Sequence, residues 1–156
     1  MSRTEFTVET FYPHTIPAWM LADHYEENAP MKEQLKLAPD WSRYMEAQRR
    51  GEFLFLACRD AQTKDLVGYM AMFLHPHPHY RDTKVAVDDV HYLMPQYRGL
   101  GAGKAMIEIA ENCAKERGAT MFSMRCKAAQ DHGAIFKKLG YELTDLVYIK
   151  DLTHEK

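Results

Sequence analysis

Cysteine is scarce in this chain, and the three residues present, Cys58, Cys113 and Cys126, are an odd number with no CxxC spacing. That argues against a disulfide framework and a thiolate metal site, and it suits a reducing cytoplasm. Eight glycines and seven prolines in 156 residues are too few for a collagen-like or low-complexity chain. No apolar run approaches the roughly 18 residues needed to cross a bilayer. The opening MSRTEFTVET lacks the basic region and apolar stretch of a secretory leader, so neither a membrane span nor an export signal is expected. Charge of one sign is missing as well, with 20 Lys and Arg against 22 Asp and Glu, a net of -2. Without a basic excess, nucleic acid is not an expected partner, and net charge gives no steering towards a strongly charged substrate.

What is present is the composition of a water-soluble globular fold, 46% hydrophobic and 27% charged. Its length predicts one domain spanning residues 1–156. Thr4 to Thr10 alternates apolar and polar residues, with Phe6 and Val8 on one face, and reads as a first strand. Thr15 and Pro17 open a helix running to about Asn28, and Pro39 and Asp40 open a second that Gly51 stops. The runs FLFLACR from Phe53 and LVGYMAMFL from Leu66 read as an antiparallel hairpin. Lys84 to Met94 is a further strand, ended by Pro95, after which QYRGLGAG leads into a helix with Met106, Ile109, Ala110 and Cys113 on one face. Thr120 to Cys126 reads as a strand, DHGAIFKKLG as a short helix ending at Gly140, and YELTDLVYIKDL as one or two terminal strands. This order mixes hairpins with a strand-helix-strand crossover and predicts an α/β (α+β) fold, a mixed sheet with helices on its faces.

The stretch from Leu93 to Lys104, LMPQYRGLGAGK, runs from a strand through a glycine-rich turn into a helix N-terminus. Such a turn suits an anion: glycine lets a ligand approach the backbone, successive N–H groups converge, and the helix dipole adds partial positive charge. Arg98 and Lys104 add full charges. The spacing is neither GxxxxGK[ST] nor GxGxxG, which disfavours nucleotide hydrolysis and dinucleotide binding.

Arg98-x-x-Gly101-x-Gly103 after a strand ending Leu93-Met94-Pro95 resembles the acetyl-CoA loop of the GNAT superfamily of N-acetyltransferases. The following helix, the strand from Thr120 and the ending Phe136-Lys137-Lys138-Leu139-Gly140-Tyr141 resemble the rest of that family's core in order and spacing. The ending Tyr148-Ile149-Lys150-Asp151-Leu152 and a His-rich stretch also resemble acetyltransferases encoded by phages and prophages. The resemblance implies a mostly antiparallel sheet, flanked by about four helices, that splays between the strand ending at Met94 and the one starting near Thr120. Acetyl-CoA would be the co-substrate. Backbone groups of Leu93 and Met94 would pair with its pantetheine arm and stabilise the oxyanion, and the amides of Gly99, Leu100, Gly101, Ala102, Gly103 and Lys104 would cradle its diphosphate. The acceptor would be a primary amine of a small molecule or a protein, and a homodimer would be in keeping with the family.

Direct transfer needs a base, because an alkylamine is protonated at neutral pH. The position where the family often has a glutamate is Val87. Counting back from Leu93 by twos places His91 and Asp89 on the same strand face as Val87. His91 is the first choice of base, since imidazole changes charge near neutral pH, and Asp89 the second. The family's thiolate-protonating tyrosine matches Phe136, which has no proton to give and is expected only to contact the cofactor. Phe136 and the missing glutamate also support a second reading, a weakly active or inactive module of the same fold that binds CoA or a protein. His75, His77 and His79, separated by Pro76 and Pro78, read as a loop lining the acceptor pocket rather than as a metal site, and no metal is expected. Of Trp19, Tyr25, Trp41 and Tyr44 on the first two helices, most read as core, and one or two as shaping that pocket.

Overall fold

The run Phe53–Cys58 contains no polar residue, because both of its faces are buried. Phe53, Phe55 and Ala57 enter one apolar cluster with Phe11, Ile16, Met20, Tyr69 and Tyr92. Leu54, Leu56 and Cys58 enter a second with Met70, Met72, Leu74, Met106, Ala110 and Phe136. A central sheet with helices on either side follows directly. The computed structural model describes residues 3–29, 31, 33 and 35–153. Strands β1 (Thr4–Glu9), β2 (Phe53–Asp60), β3 (Leu66–His77), β4 (Tyr80–Leu93) and β5 (Met121–Ser123) lie in the order β1-β2-β3-β4-β5. The first three pairings are antiparallel, and β5 joins β4 in parallel. Helices α1 (Ala18–Asn28) and α2 (Trp41–Arg49) precede β2, α3 (Ala102–Glu116) links β4 to β5, and α4 (Gly133–Lys138) follows β5.

The expected hairpin of β2 and β3, the strand closed by Pro95, the helix after the glycine loop and the short helix ending at Gly140 all form. Three expectations are corrected. The terminal segment YELTDLVYIKDL joins no strand, and Leu143, Leu146, Val147, Tyr148, Ile149 and Leu152 are all exposed. On α3 the buried face is Ala102, Met106, Ile107, Ala110 and Ala114, while Ile109 and Cys113 flank it, because small alanines let the helix backbone approach the sheet. The His75–His79 stretch is no separate loop: it ends β3 and turns into β4, with His75 opposite Val85 and His77 opposite Tyr80.

Gly68 lies opposite Leu93, and there a side chain has no room. A Cβ on Gly68 would meet the Tyr92 carbonyl oxygen at 2.7 Å and Leu93 Cδ1 at 2.8 Å. Gly68→Ala therefore has to displace β4 where it leads into the glycine loop, and we expect a loss of about 1–3 kcal/mol in urea unfolding.

Candidate active site

β4 and β5 pair only from Val85 opposite Met121 to Val87 opposite Ser123. Beyond that point the strands part. The Arg125 guanidinium closes the ladder by donating to the Asp88 carbonyl at 2.8 and 3.2 Å. Asp89 has no partner on β3, since Met72 faces Asp88 and Ala71 faces Val90, so β4 bulges there. One extra residue reverses which side each later residue faces. Up to Asp88, the even-numbered residues turn their backbone groups towards β5. After the bulge, His91 and Leu93 do, as the bond from Met94 N–H to Val67 O (2.9 Å) requires by alternation.

The same bulge decides the side chains. His91 and Asp89, expected on one face, lie on opposite faces. Asp89 points towards α2, where its carboxylate accepts from the Tyr44 hydroxyl at 2.9 Å, and burial raises its pKa above the ordinary carboxylate value. Tyr44 itself packs on Phe11, Trp41, Phe53 and Phe73, and burial foremost pushes its hydroxyl pKa up. His91 instead meets Asp88, with Nδ1 2.8 Å from Oδ2. Asp88 is 2% exposed, and its Oδ1 has no hydrogen-bond partner. A carboxylate only accepts, so towards an ionised Asp88 it is Nδ1 of His91 that donates, and in the neutral imidazole Nε2 then keeps its lone pair. His132, just before α4, stands near the His91 ring, with centroids 6.2 Å apart.

Counting by twos could not find Asp88 as the partner of His91. The available signal was two adjacent aspartates inside the apolar stretch KVAVDDV, where an unbroken strand would bury one of them.

The glycine loop fits a diphosphate. Gly99 and Gly101 adopt φ of +77° and +83°, conformations open to glycine, and Gly101 caps α3 with no side-chain bond. The first-turn amides of α3, Ala102, Gly103 and Lys104, have no intrahelical acceptor, and no acidic residue stands among them to neutralise the positive end. A Cβ placed on Gly99, Gly101 or Gly103 would meet nothing within 4 Å, so the approach is open. Leu100 is exposed, and Ala102 turns its methyl into the core.

Other expected contacts lie differently. The Arg98 guanidinium folds back, donating to Leu93 O at 2.7 Å and pairing with Glu27 of α1 at 2.8 Å, which ties the loop to β4 and α1. Of the backbone groups expected to face the arm, the Leu93 carbonyl is thus engaged, and the Met94 N–H is bonded to β3. The Leu93 N–H is the donor that alternation aims at the gap. Lys104 pairs with Glu108 at 3.6 Å. Phe136, expected at the cofactor, packs in the core against Tyr141, whose hydroxyl donates to Glu111 at 2.6 Å. Gln130, in the loop before α4, bonds the Glu27 carbonyl at 3.0 Å. Among the described residues no three His, Cys, Asp or Glu side chains converge as a metal would require. No described helix is long and apolar enough to cross a membrane.

His24 of α1 is buried beside the gap, its Nδ1 2.6 Å from the Tyr69 hydroxyl and its ring stacked on Tyr92. Burial, more than any neighbouring charge, lowers its pKa to about 4. The folded chain holds this histidine neutral while the unfolded chain protonates it near pH 6.5. Its contribution is therefore complete above pH 6.5 and lost as pH falls towards 4. Between those limits the wild type should lose about 3 kcal/mol more in urea unfolding than a His24→Gln variant.

The acetyltransferase (GNAT) family profile matches residues 18–141. The chain belongs to that family, whose members are N-acetyltransferases that use acetyl-CoA as co-substrate. Solved structures share its fold at low identity. A ribosomal-protein-alanine N-acetyltransferase from Brucella melitensis biovar Abortus 2308 is 17% identical with a TM-score of 0.67, the match covering 96% of this chain and 99% of that one. A transcriptional regulator from Bacillus halodurans C-125 is 14% identical with a TM-score of 0.71 over the same shares, 96% and 99%. An aminoglycoside acetyltransferase from an uncultured soil metagenomic sample is 19% identical with a TM-score of 0.68, again over 96% and 99%. At these identities the likeness is one of fold. No curated protein matches the chain.

Proposed function

We propose that this protein transfers the acetyl group of acetyl-CoA directly to a primary amine of a small molecule or protein, with His91 as the general base and Asp88 as its positioning residue. The observation that carries the reading is that β4 and β5 stop pairing at Val87 opposite Ser123, so that β4 runs on unpaired by β5 through His91 and Leu93 to the glycine turn and the open α3 N-terminus. When bound, acetyl-CoA supplies an activated thioester carbonyl. The amides from Gly99 to Lys104 would hold its diphosphate, and the Leu93 N–H is the donor available to a developing oxyanion. His91 Nε2 accepts the proton that the acceptor ammonium must lose, directly or through one water. Asp88 keeps the imidazole turned and its tautomer fixed. Asp89, across the strand beside Tyr44 and Trp41, faces α2 and is the second candidate base. It is also a carboxylate suited to an incoming cation among aromatic rings.

Phe136 has no proton to give, so the thiolate takes a proton from another group, such as a water, or leaves unassisted. The same phenylalanine favours the second reading, a module that binds CoA without turnover. Thiol release from acetyl-CoA over a panel of small amines and peptide α-amines tests both. Amine-dependent release that His91→Ala abolishes supports transfer, and binding without release from any amine supports the module. A cytoplasmic location, which rests on the few unpaired cysteines, and a phage or prophage origin, which rests on the sequence resemblance, belong to the same proposal.

A further inference from the structure

We infer that the cavity between the end of β1 and the start of β2 is a second binding site, remote from the acetyl-CoA gap, for a small molecule that carries a carboxylate on an apolar chain. The ladder between these strands stops at Glu9 opposite Phe55. Continued in register, the next hydrogen-bonded pair would join Phe11 to Phe53. Instead the Gln48 carboxamide of α2 takes both backbone groups of Phe11, accepting from its N–H at 2.7 Å and donating to its carbonyl at 2.9 Å. The two chains part around a cavity of about 580 Å³, a size that suits a small molecule. Phe53 is left facing it. Ala61 N–H bonds Arg3 O on the β1 side, and Leu74 N–H bonds Glu52 O on the β3 side, so alternation turns the odd-numbered residues of β2 towards β1. The Phe53 carbonyl accepts from the Arg117 guanidinium at 3.3 Å, whereas its N–H meets no acceptor among the described residues, although Phe53 is 2% exposed. A buried backbone N–H without a partner is rare, and an acceptor atom entering the cavity satisfies it.

The charged groups of the cavity call for an anion. Lys84 of β4 and Arg117, which caps the C-terminal end of α3, both line it, and neither pairs with a carboxylate among the described residues. Lys84 donates one N–H to the Arg117 carbonyl at 2.9 Å, which brings the two cations together and leaves Lys84 two further donors. Glu9 is the single carboxylate of the lining, and the Arg59 guanidinium holds it at 2.7 and 2.8 Å. One wall is apolar: Val8 is 44% exposed and shares its face of the sheet with Leu54. A carboxylate set between Lys84 and Arg117, accepting from Phe53 N–H with its chain along Val8 and Leu54, answers the charge, the unmet donor and the exposed valine together. The glycine turn lies at the other end of α3, whose 15 residues span about 22 Å. The site therefore stands apart from acetyl-CoA and does not depend on the transfer reading.

Amide NMR titration of the full chain with octanoate, with and without acetyl-CoA, tests the inference. We expect saturable shifts at Gly51, Phe53 and Leu54 that acetyl-CoA does not reverse. A Lys84→Gln, Arg117→Gln double variant should bind octanoate about tenfold more weakly or worse, and octanol, which lacks the charge, should bind the wild type more weakly by a similar factor. No saturable shift by about 10 mM octanoate, an affinity too weak for a built site, would overturn the inference. So would shifts at the glycine turn in place of Phe53, displacement of octanoate by acetyl-CoA, octanol binding as tightly as octanoate, or a folded double variant that binds unchanged. The position of the wild-type shifts decides the matter even if the variant does not fold. A wild type that ignores acetyl-CoA would end the transfer reading and leave each of these octanoate outcomes as decisive as before.

Discussion

His91→Ala should lower the turnover number by about 10²–10⁴-fold, the range that a positioned general base contributes, while acetyl-CoA affinity stays within about threefold. The separation follows from where His91 stands. It lies on β4 beyond the end of the pairing with β5, with Nδ1 2.8 Å from Asp88 Oδ2. The diphosphate cradle is built from backbone amides at the start of α3. Asp88→Asn should reduce turnover by about ten- to a hundredfold, again at constant acetyl-CoA affinity, because an amide can present N–H to Nδ1 and favour the wrong tautomer. Steady-state kinetics beside equilibrium binding reads both. If Asp88→Asn and His91→Ala each leave turnover within threefold of wild type, the dyad has no catalytic role and Asp89 becomes the base to test.

Gly103→Glu should abolish acetyl-CoA binding, weakening it at least a hundredfold, and at the same time stabilise the protein. Gly103 lies in the first turn of α3 at an ordinary helical φ, and a Cβ there meets nothing within 4 Å. Replacing a helical glycine gains about 0.5–1 kcal/mol, and a carboxylate at a helix N-terminus adds about 0.3–1 kcal/mol. The same carboxylate occupies the open approach to the first-turn amides and opposes a diphosphate. Thermal unfolding with and without 1 mM acetyl-CoA gives a clear readout: the variant should melt above wild type without ligand and show no further rise with it. A variant that melts higher and still responds to acetyl-CoA would place the diphosphate elsewhere.

The parts of this site legible in the sequence are those fixed by local chemistry. Gly99 and Gly101 mark the turn that leads into α3, where they take up left-handed conformations, and the apolar run from Phe53 forms a strand of the expected hairpin. The bulge at Asp89 depends on how β4 registers against β3, which period-two counting cannot see. It moved His91 to the face of Asp88 and left Asp89 with Tyr44. The charge of Arg98 suggested a phosphate ligand, whereas its partners in this structure, Glu27 and the Leu93 carbonyl, become neighbours only when α1 packs beside the end of β4. The terminal segment was read as strand-forming from its apolar pattern, but it joins no strand in the structure. Phe136 departs from the family's tyrosine in the sequence itself, and its burial against Tyr141 explains why an apolar ring is accommodated there.

The central claim is that the gap between β4 and β5 and the amides at the start of α3 together form an acetyl-CoA site. Calorimetric titration of the wild-type chain with acetyl-CoA tests it most directly. We expect saturable binding at one molecule per chain, with Kd on the order of micromolar, and no binding by Gly103→Glu under the same conditions. Absence of binding by the folded wild-type protein at millimolar acetyl-CoA would contradict it.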